Sequence, residues 1–374
     1  MERKRTRNFD FVLLISVLAL FSFGLVVVFS ATRGLNPSAP YHYVIRQAMA
    51  AAIGLLAGLV VAWRVDYHDL LRLAPLAYAA TLLLLGGVLV AGRVSGGAER
   101  WISIGGFSLQ PSELAKTSLI LVLAHTLADS ERVKRWSGVI RALAYTALPV
   151  GLVLLQPDLG TAITLIAITF GMLYFAGAQL RHLAILGALG AAAVVTAVVG
   201  SIQGWLPILK PYQVTRLVVF LDPYSYQHDA GWNVIQSMIA IGSGSFFGKG
   251  LFAGSQTQLN FVPARHTDFI FSVIGEEFGF VGGLLVLSLF ALVFWRCGRI
   301  LLTAKDRQGS LIVAGVVTIL FVHVLINVGM TLGVMPVTGL PLPFISYGGT
   351  AVMTTFFNIG LVLNVGLRRK KLLF

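Results

Sequence analysis

A single cysteine, Cys297, in 374 residues rules out an internal disulfide, and no cluster of Cys and His has zinc-site spacing. Charge is scarce as well: Asp, Glu, Lys and Arg make up 11% of the chain, against 57% hydrophobic residues and a mean hydropathy of +0.85. That balance excludes a soluble domain with a large core and indicates an integral membrane protein. Acid is the scarcer sign, with 15 Asp and Glu against 28 Lys and Arg and a net charge of +13. Nucleic acid is not the implied partner, because the basic residues sit in short blocks between apolar runs, where they set membrane orientation. No cleavable signal peptide is evident: the first apolar run is long enough to span, and no clear small-residue cleavage site follows it.

What is abundant is apolar runs of about 17 to 25 residues, the length that crosses a bilayer. The sequence predicts an all-α polytopic membrane protein with ten transmembrane helices, at about 11–31, 46–63, 75–92, 112–128, 139–156, 159–176, 182–200, 269–296, 310–334 and 349–366. Residues 1–374 are expected to form one membrane domain, with one long connection, 201–268, between the seventh and eighth spans. An even number of spans puts both termini on one side. That side would hold 19 Lys and Arg residues, including Arg3, Lys4, Arg5, Arg7, Lys370 and Lys371. The opposite side would hold eight: Arg33, Arg46, Arg93, Arg100, Lys210, Arg216, Lys249 and Arg265, with Lys116 inside a span. The excess makes the termini cytoplasmic and the long loop, with Asp268, extracytoplasmic.

Ionisable groups at or within a span are costly and point to function. In FVPARHTDFIFSVIGEEFGF, residues 261–280, Arg265, His266 and Asp268 precede an apolar helix that carries Glu276 and Glu277. Glu113 and Lys116, three residues apart at the start of the fourth span, share one helical face and can pair. Asp158, after Pro157, is placed to cap the sixth span, and with Glu113 and Asp268 it approaches one outward mouth. Ser272, Gly275, Gly279 and Gly282 line up below Asp268. Such a face either admits a neighbouring helix or leaves a groove for a lipid tail. Glu276 and Glu277 point elsewhere and are expected to hold helices together. In the long loop, residues 232–241 are expected to form a helix on or dipping into the outer leaflet. Gly242, Gly244, Gly248 and Gly250 around Lys249 form a weak anion-cradle signal, without the P-loop pattern. The last link, GVMPVTGLPLPFISYGGT at 333–350, has no charged residue and three prolines, so it should be re-entrant or lid-like.

That link, preceded by Asn327, resembles the C-terminal signature of the shape, elongation, division and sporulation (SEDS) family. VVFLDP with Arg216 before it, and IQSMIAIGSGSFFGKGLFAGSQTQLNFVPARHTDFIFSVIGEE, extend the resemblance over essentially the whole chain. PARHTDFIF is closer to the elongation branch of the family than to its division branch. The resemblance implies a peptidoglycan glycosyltransferase that polymerises lipid II at the outer face of the bacterial cytoplasmic membrane. It also implies partnership with a class B penicillin-binding protein, a transpeptidase, and with other elongation proteins. The family's essential acid falls on Asp268. Lipid II flipping and a non-catalytic scaffold are the alternative functions.

On this expectation Asp268 orients or deprotonates the attacking hydroxyl, and Arg216, Lys249, Arg265 or Lys116 stabilises the departing pyrophosphate. Glu113, Asp158 and His266 are further candidates for substrate contact. An aspartate beside Arg265 and at a helix start should be a poor base, its pKa pulled below the ordinary value. Burial or neighbouring acids would oppose that pull. The other role open to Asp268 is ligand to a divalent cation, magnesium or manganese, bridging to pyrophosphate.

Overall fold

A computed structural model describes residues 8–35, 38–91, 93–95, 98–104, 107–204, 211–228 and 231–369. Arg3, Lys4, Arg5, Arg7, Lys210, Lys370 and Lys371, used in the charge count, lie outside the described residues. The long helices are α1 (Phe11–Thr32), α2 (His42–Arg64), α3 (Tyr67–Ala91), α4 (Pro111–Thr126), α5 (Trp136–Leu155), α6 (Leu159–Phe175), α7 (Leu180–Gln203), α8 (Ile270–Thr303), α9 (Arg307–Thr331) and α10 (Gly349–Leu367). Eight are long and apolar enough to cross a membrane, while α4, with 16 residues, and α6, with 17, are shorter. The chain is a helical, multi-pass membrane protein.

Local chemistry starts several of these helices. Asp10, Asp158 and Asp306 cap α1, α6 and α9 by accepting from the amides of Leu13, Thr161 and Gly309 at 2.9, 3.1 and 2.9 Å. α3 begins eight residues before the expected 75, because the amides of Asp69 and Leu70 already donate to the Asp66 carbonyl; Pro75 lies inside the helix. The core runs through α9 and α10, whose side chains are largely buried. α2 crosses α10 closely at Gly54, Gly58 and Gly360. Toward lipid, Leu83 is 78% and Val90 90% exposed.

One element was not expected. Residues Arg93–Ser95 (β1), Ala98–Ile104 (β2) and Phe107–Leu109 (β3) pair antiparallel in the order β1-β2-β3, with Arg93 opposite Trp101 and Ser103 opposite Ser108. Among the described residues the fold is therefore α-helical with one small sheet. Its signal was the pair of Gly-Gly dipeptides, at 96–97 and 105–106, bounding a short alternating run.

The long connection folds against α8. Its helix Trp232–Ser243 buries Val234, Ile235, Gln236, Ser237 and Ala240. Ser237 bonds Ser272 at 2.6 Å, and a Cβ on Gly244 would stand 1.9 Å from the Gly275 carbonyl. The small-residue face thus admits a neighbouring helix, and no open groove is left beneath Ser272 and Gly275. Further along, α8 breaks at Gly279, where φ is +65°. The missing helical bonds are made by the loop: the amides of Lys249 and Gly250 donate to the Glu276 and Glu277 carbonyls at 2.9 and 3.0 Å. In return, the amides of Phe280 and Val281 donate to Ser245 and Phe246 carbonyls at 3.0 and 3.1 Å. Backbone freed inside a membrane protein has to be satisfied in this way. The two acids complete the seam. Glu276 accepts from Lys249 Nζ and from the amides of Gln256 and Thr257 at 2.8, 2.8 and 2.9 Å. Glu277 accepts from Ser30 of α1 at 2.5 Å and from Gln258 at 3.1 Å.

Candidate active site

Asp268 lies in the turn leading into α8, and its neighbours hold that turn in place. Asn327 of α9 donates from Nδ2 to the carbonyls of Asp268 and Leu340, both at 2.8 Å. Ser346 Oγ donates to the Thr267 carbonyl at 2.6 Å and accepts from the Leu342 amide at 2.8 Å. The Tyr347 amide donates to the His266 carbonyl at 2.9 Å. Gln47 of α2 closes the ring, donating to the Ser346 carbonyl at 2.7 Å and accepting from the Gly348 amide at 3.0 Å. The irregular segment 332–348 is thereby laid over the Asp268 turn, with Leu340, Leu342, Phe344 and Ile345 buried. Gly339 comes nearest: its φ is +78°, and a Cβ there would stand 3.4 Å from Asp268 Oδ2.

Three further charges act on Asp268. Asp158, the cap of α6, also bonds Thr161 Oγ1 at 3.0 Å and Gln110 at 3.4 Å. Arg100, presented by β2, donates to the carbonyls of Gln156, at 2.9 Å, and Pro157, and stands 3.8 Å from Asp158. Arg216, on the helix Pro211–Leu221, donates to the Thr338 carbonyl at 3.5 Å. Burial lifts the Asp268 carboxyl above the ordinary carboxylate range; Arg216 and a hydrogen bond from Thr267 oppose the lift, Asp158 adds to it, and Arg100 opposes it. Beside Arg216 opens a cavity of about 140 Å³ lined by Val219, Phe220, Asn233, Val234, Met335 and Val337. Asp268 is half-buried.

The other residues singled out in the sequence are placed apart from Asp268. Arg265 is buried with its Nε donating to the Ala31 carbonyl at 2.8 Å, closing the end of α1, so the cation acting most on Asp268 is Arg216. His266 packs edge-on to Tyr43 and against Tyr347, with ring centroids 5.4 and 5.9 Å away. Burial, then the charge of Arg265, pushes it below its ordinary value, which keeps the ring neutral at pH 7. Lys249 is paired with Glu276, and the amides of Gly248, Lys249 and Gly250 are engaged by backbone carbonyls rather than offered to an anion. Glu113 and Lys116 form their pair at 2.8 Å, both buried. Lys116 reaches His323 of α9 at 3.4 Å, and Glu113 accepts from Thr354 of α10 at 3.4 Å. The pair therefore lies among α4, α9 and α10 rather than beside Asp268.

Two residues carried no sequence signal of their role. Arg100 entered the charge count, and the flanking Gly-Gly dipeptides signal a hairpin but not that it lowers Arg100 onto the turn between α5 and α6. His323, beside Lys116 rather than Asp268, is the one titratable residue of α9 beyond Arg307, and its sequence neighbours do not indicate what it meets.

A carboxylate recessed at one end of a helical bundle, with two arginines and a second carboxylate around it, gives a multi-pass membrane protein with an enzyme-like site. The family model described as Cell cycle protein, for FtsW, RodA and SpoVE, matches residues 11–371. The chain is 34% identical to the peptidoglycan glycosyltransferase RodA of Treponema pallidum, over 99% of this chain and 100% of that one. It is 36% identical to the peptidoglycan glycosyltransferase MrdB of Escherichia coli, over 98% and 95%. A solved structure of a peptidoglycan synthase complex that coordinates polymerization and crosslinking contains a chain similar to this one. That chain has a TM-score of 0.78 and 35% identity, with 96% of this chain and 97% of that one covered. The chain belongs to the FtsW, RodA and SpoVE family, the SEDS proteins.

Proposed function

We propose that this chain, a peptidoglycan glycosyltransferase by its family, polymerises lipid II with Asp268 as its catalytic carboxylate. The observation that carries the reading is the recess itself. Asp268 stands under Gly339, with Arg100 and Arg216 in electrostatic reach, and Arg216 also lines the cavity beside it. In the reaction a sugar 4-hydroxyl attacks the anomeric carbon of a second lipid-linked sugar. The hydroxyl proton passes to Asp268, and the electron pair of the broken anomeric C–O bond leaves with undecaprenyl pyrophosphate. Burial removes the main objection to an aspartate base, since it moves the carboxyl toward the range useful for proton transfer. Arg216, at the mouth of the cavity, is suited to pyrophosphate because a guanidinium bonds phosphate oxygens in pairs. Among the described residues no three His, Cys, Asp or Glu side chains are grouped to hold a metal ion. A magnesium or manganese ion on Asp268 would therefore draw most of its oxygen ligands from the substrate's phosphates and from water.

The reading includes ten spans with both termini cytoplasmic and the loop 201–268 outside, which puts the recess where lipid II is presented. The excess of Lys and Arg on the opposite side supports that orientation. A class B penicillin-binding protein is the proposed partner, with other elongation proteins around it. The similarity to a chain of a peptidoglycan synthase complex supports such a partnership. Lipid II polymerisation by the purified protein tests the reading: Asp268→Asn should lower kcat by about 10²-fold or more. Wild-type rates in that variant would rule out Asp268 as base and as metal ligand alike.

A further inference from the structure

Glu113 is 6% and Lys116 2% exposed, a depth at which a charge pair is kept only against a large desolvation cost. Its charges are not directed at Asp268, on which Arg216, Asp158 and Arg100 act. The ammonium reaches the Nε2 atom of His323 at 3.4 Å instead. An ammonium only donates, so Nε2 presents its lone pair and the ring proton sits on Nδ1. The same ring bonds the backbone of Pro341, whose only polar group is a carbonyl and which an Nδ1–H satisfies. One helical turn further along α9, Asn327 donates to the Leu340 and Asp268 carbonyls. Two side chains of one helix face thus hold two successive carbonyls, 340 and 341, directly after the glycine that faces Asp268.

We propose that His323 is a positioning residue for glycosyl transfer, through which the Glu113–Lys116 pair fixes the 339–341 backbone against Asp268. The proposal rests on the reading of Asp268 as the catalytic carboxylate. His323 itself touches no reacting atom; it is 4% exposed and acts through the backbone it holds. A neutral imidazole is suited to this place because it accepts from a cation on one side and donates to a carbonyl on the other. Leucine does neither. Glutamine sets an acceptor near the Nε2 position and asparagine a donor near the Nδ1 position, so each keeps one of the two links.

The test uses purified full-length wild type, His323→Leu, His323→Gln, His323→Asn and Asp268→Asn. It measures kcat and KM for lipid II polymerisation, Tm, and amide hydrogen exchange across 342–348, where the amides of Ile345, Ser346 and Tyr347 are bonded. In His323→Leu, kcat should fall about tenfold or more with KM within about twofold, and exchange should rise in 342–348 alone. At least one of the Gln and Asn variants should recover part of the lost kcat and protection. Unchanged kcat, unchanged exchange in 342–348, or a fall in kcat that tracks Tm with exchange rising throughout overturns the proposal. If His323→Leu does not fold, the Gln and Asn variants decide alone, and wild-type kcat in both overturns it. Activity lost in Asp268→Asn and kept in His323→Leu overturns this proposal only; polymerisation absent from wild type overturns the functional reading and this proposal with it.

Discussion

Asp268 and Arg265 are three residues apart, which suggests an ion pair, and the backbone prevents one. Ala264 takes a left-handed conformation, φ +50°, and the amides of Thr267 and Phe269 turn back to its carbonyl at 3.1 and 3.2 Å. Arg265 is thereby sent to the end of α1, and Arg216, distant from Asp268 in sequence, supplies the charge. A costly acid at the head of a span was legible in the sequence; its partner was not, because the pairing is made by tertiary packing. The consequence is a pH dependence with a definite sign. Asp268 must be ionised to accept a proton, so kcat/KM falls as pH drops through its pKa, which burial holds above the ordinary carboxylate value. Removing a cation that stabilises the carboxylate raises that pKa, and removing a neighbouring acid lowers it. The acid limb of kcat/KM against pH should move to higher pH in Arg216→Gln and to lower pH in Asp158→Asn. Shifts in the same direction would contradict the electrostatics described for the recess.

Among elements, the seam between α8 and the loop 244–250 separates two uses of glycine. GSGSFFGKG reads as a cradle of amides for an anion, but those amides are consumed by the carbonyls that the break at Gly279 leaves open. Sequence carries the break and the loop as separate glycine clusters; that each completes the other depends on their meeting in space. Gly248 has φ +83°, and a Cβ on it would stand 2.2 Å from the Glu277 carbonyl. Left-handed strain and a backbone clash together should make Gly248→Ala lose about 2 kcal/mol or more, seen as a lower Tm in detergent. Gly339 differs, since its Cβ would meet Asp268 at ordinary contact distance, leaving only the strain of φ +78°. Gly339→Ala should therefore cost about 1 to 2 kcal/mol, a smaller fall in Tm than Gly248→Ala, yet lower kcat severalfold because it moves the wall beside the carboxylate. A larger loss of Tm in Gly339→Ala than in Gly248→Ala would reverse this assignment of roles.

Across the whole molecule, apolar run length located the long helices to within a few residues at most of their ends, because hydropathy is a property of contiguous sequence. It did not reveal the sheet, whose short strands carry no such average, the start of α3, whose polar HDLLR precedes the apolar run, or the end of α8, which continues past Arg296 and Arg299 to Thr303. Nor does hydropathy decide whether the two shortest helices cross. With 16 and 17 residues, α4 and α6 are about 24 and 25 Å long at 1.5 Å per residue, less than a hydrocarbon core of roughly 30 Å. If both cross, either the bilayer thins around them or an end of each is recessed; recessed starts at Pro111 and Leu159 would place Asp158 and the site around Asp268 below the membrane surface. Such a placement would let a lipid-linked substrate reach the carboxylate without leaving the bilayer. Cysteine labelling tests the crossing directly, because Cys297 is fully buried and gives a silent background. Ser108, Lys134 and Gln227 are exposed; α4 separates the first two, and α5, α6 and α7 separate the last two. A membrane-impermeant maleimide applied to intact cells should label Ser108→Cys and Gln227→Cys, and Lys134→Cys only after permeabilisation. Labelling of Lys134→Cys together with Ser108→Cys would mean that α4 does not cross, and together with Gln227→Cys that one helix among α5, α6 and α7 does not. Labelling of Lys134→Cys alone would invert the orientation and put Asp268 on the cytoplasmic side.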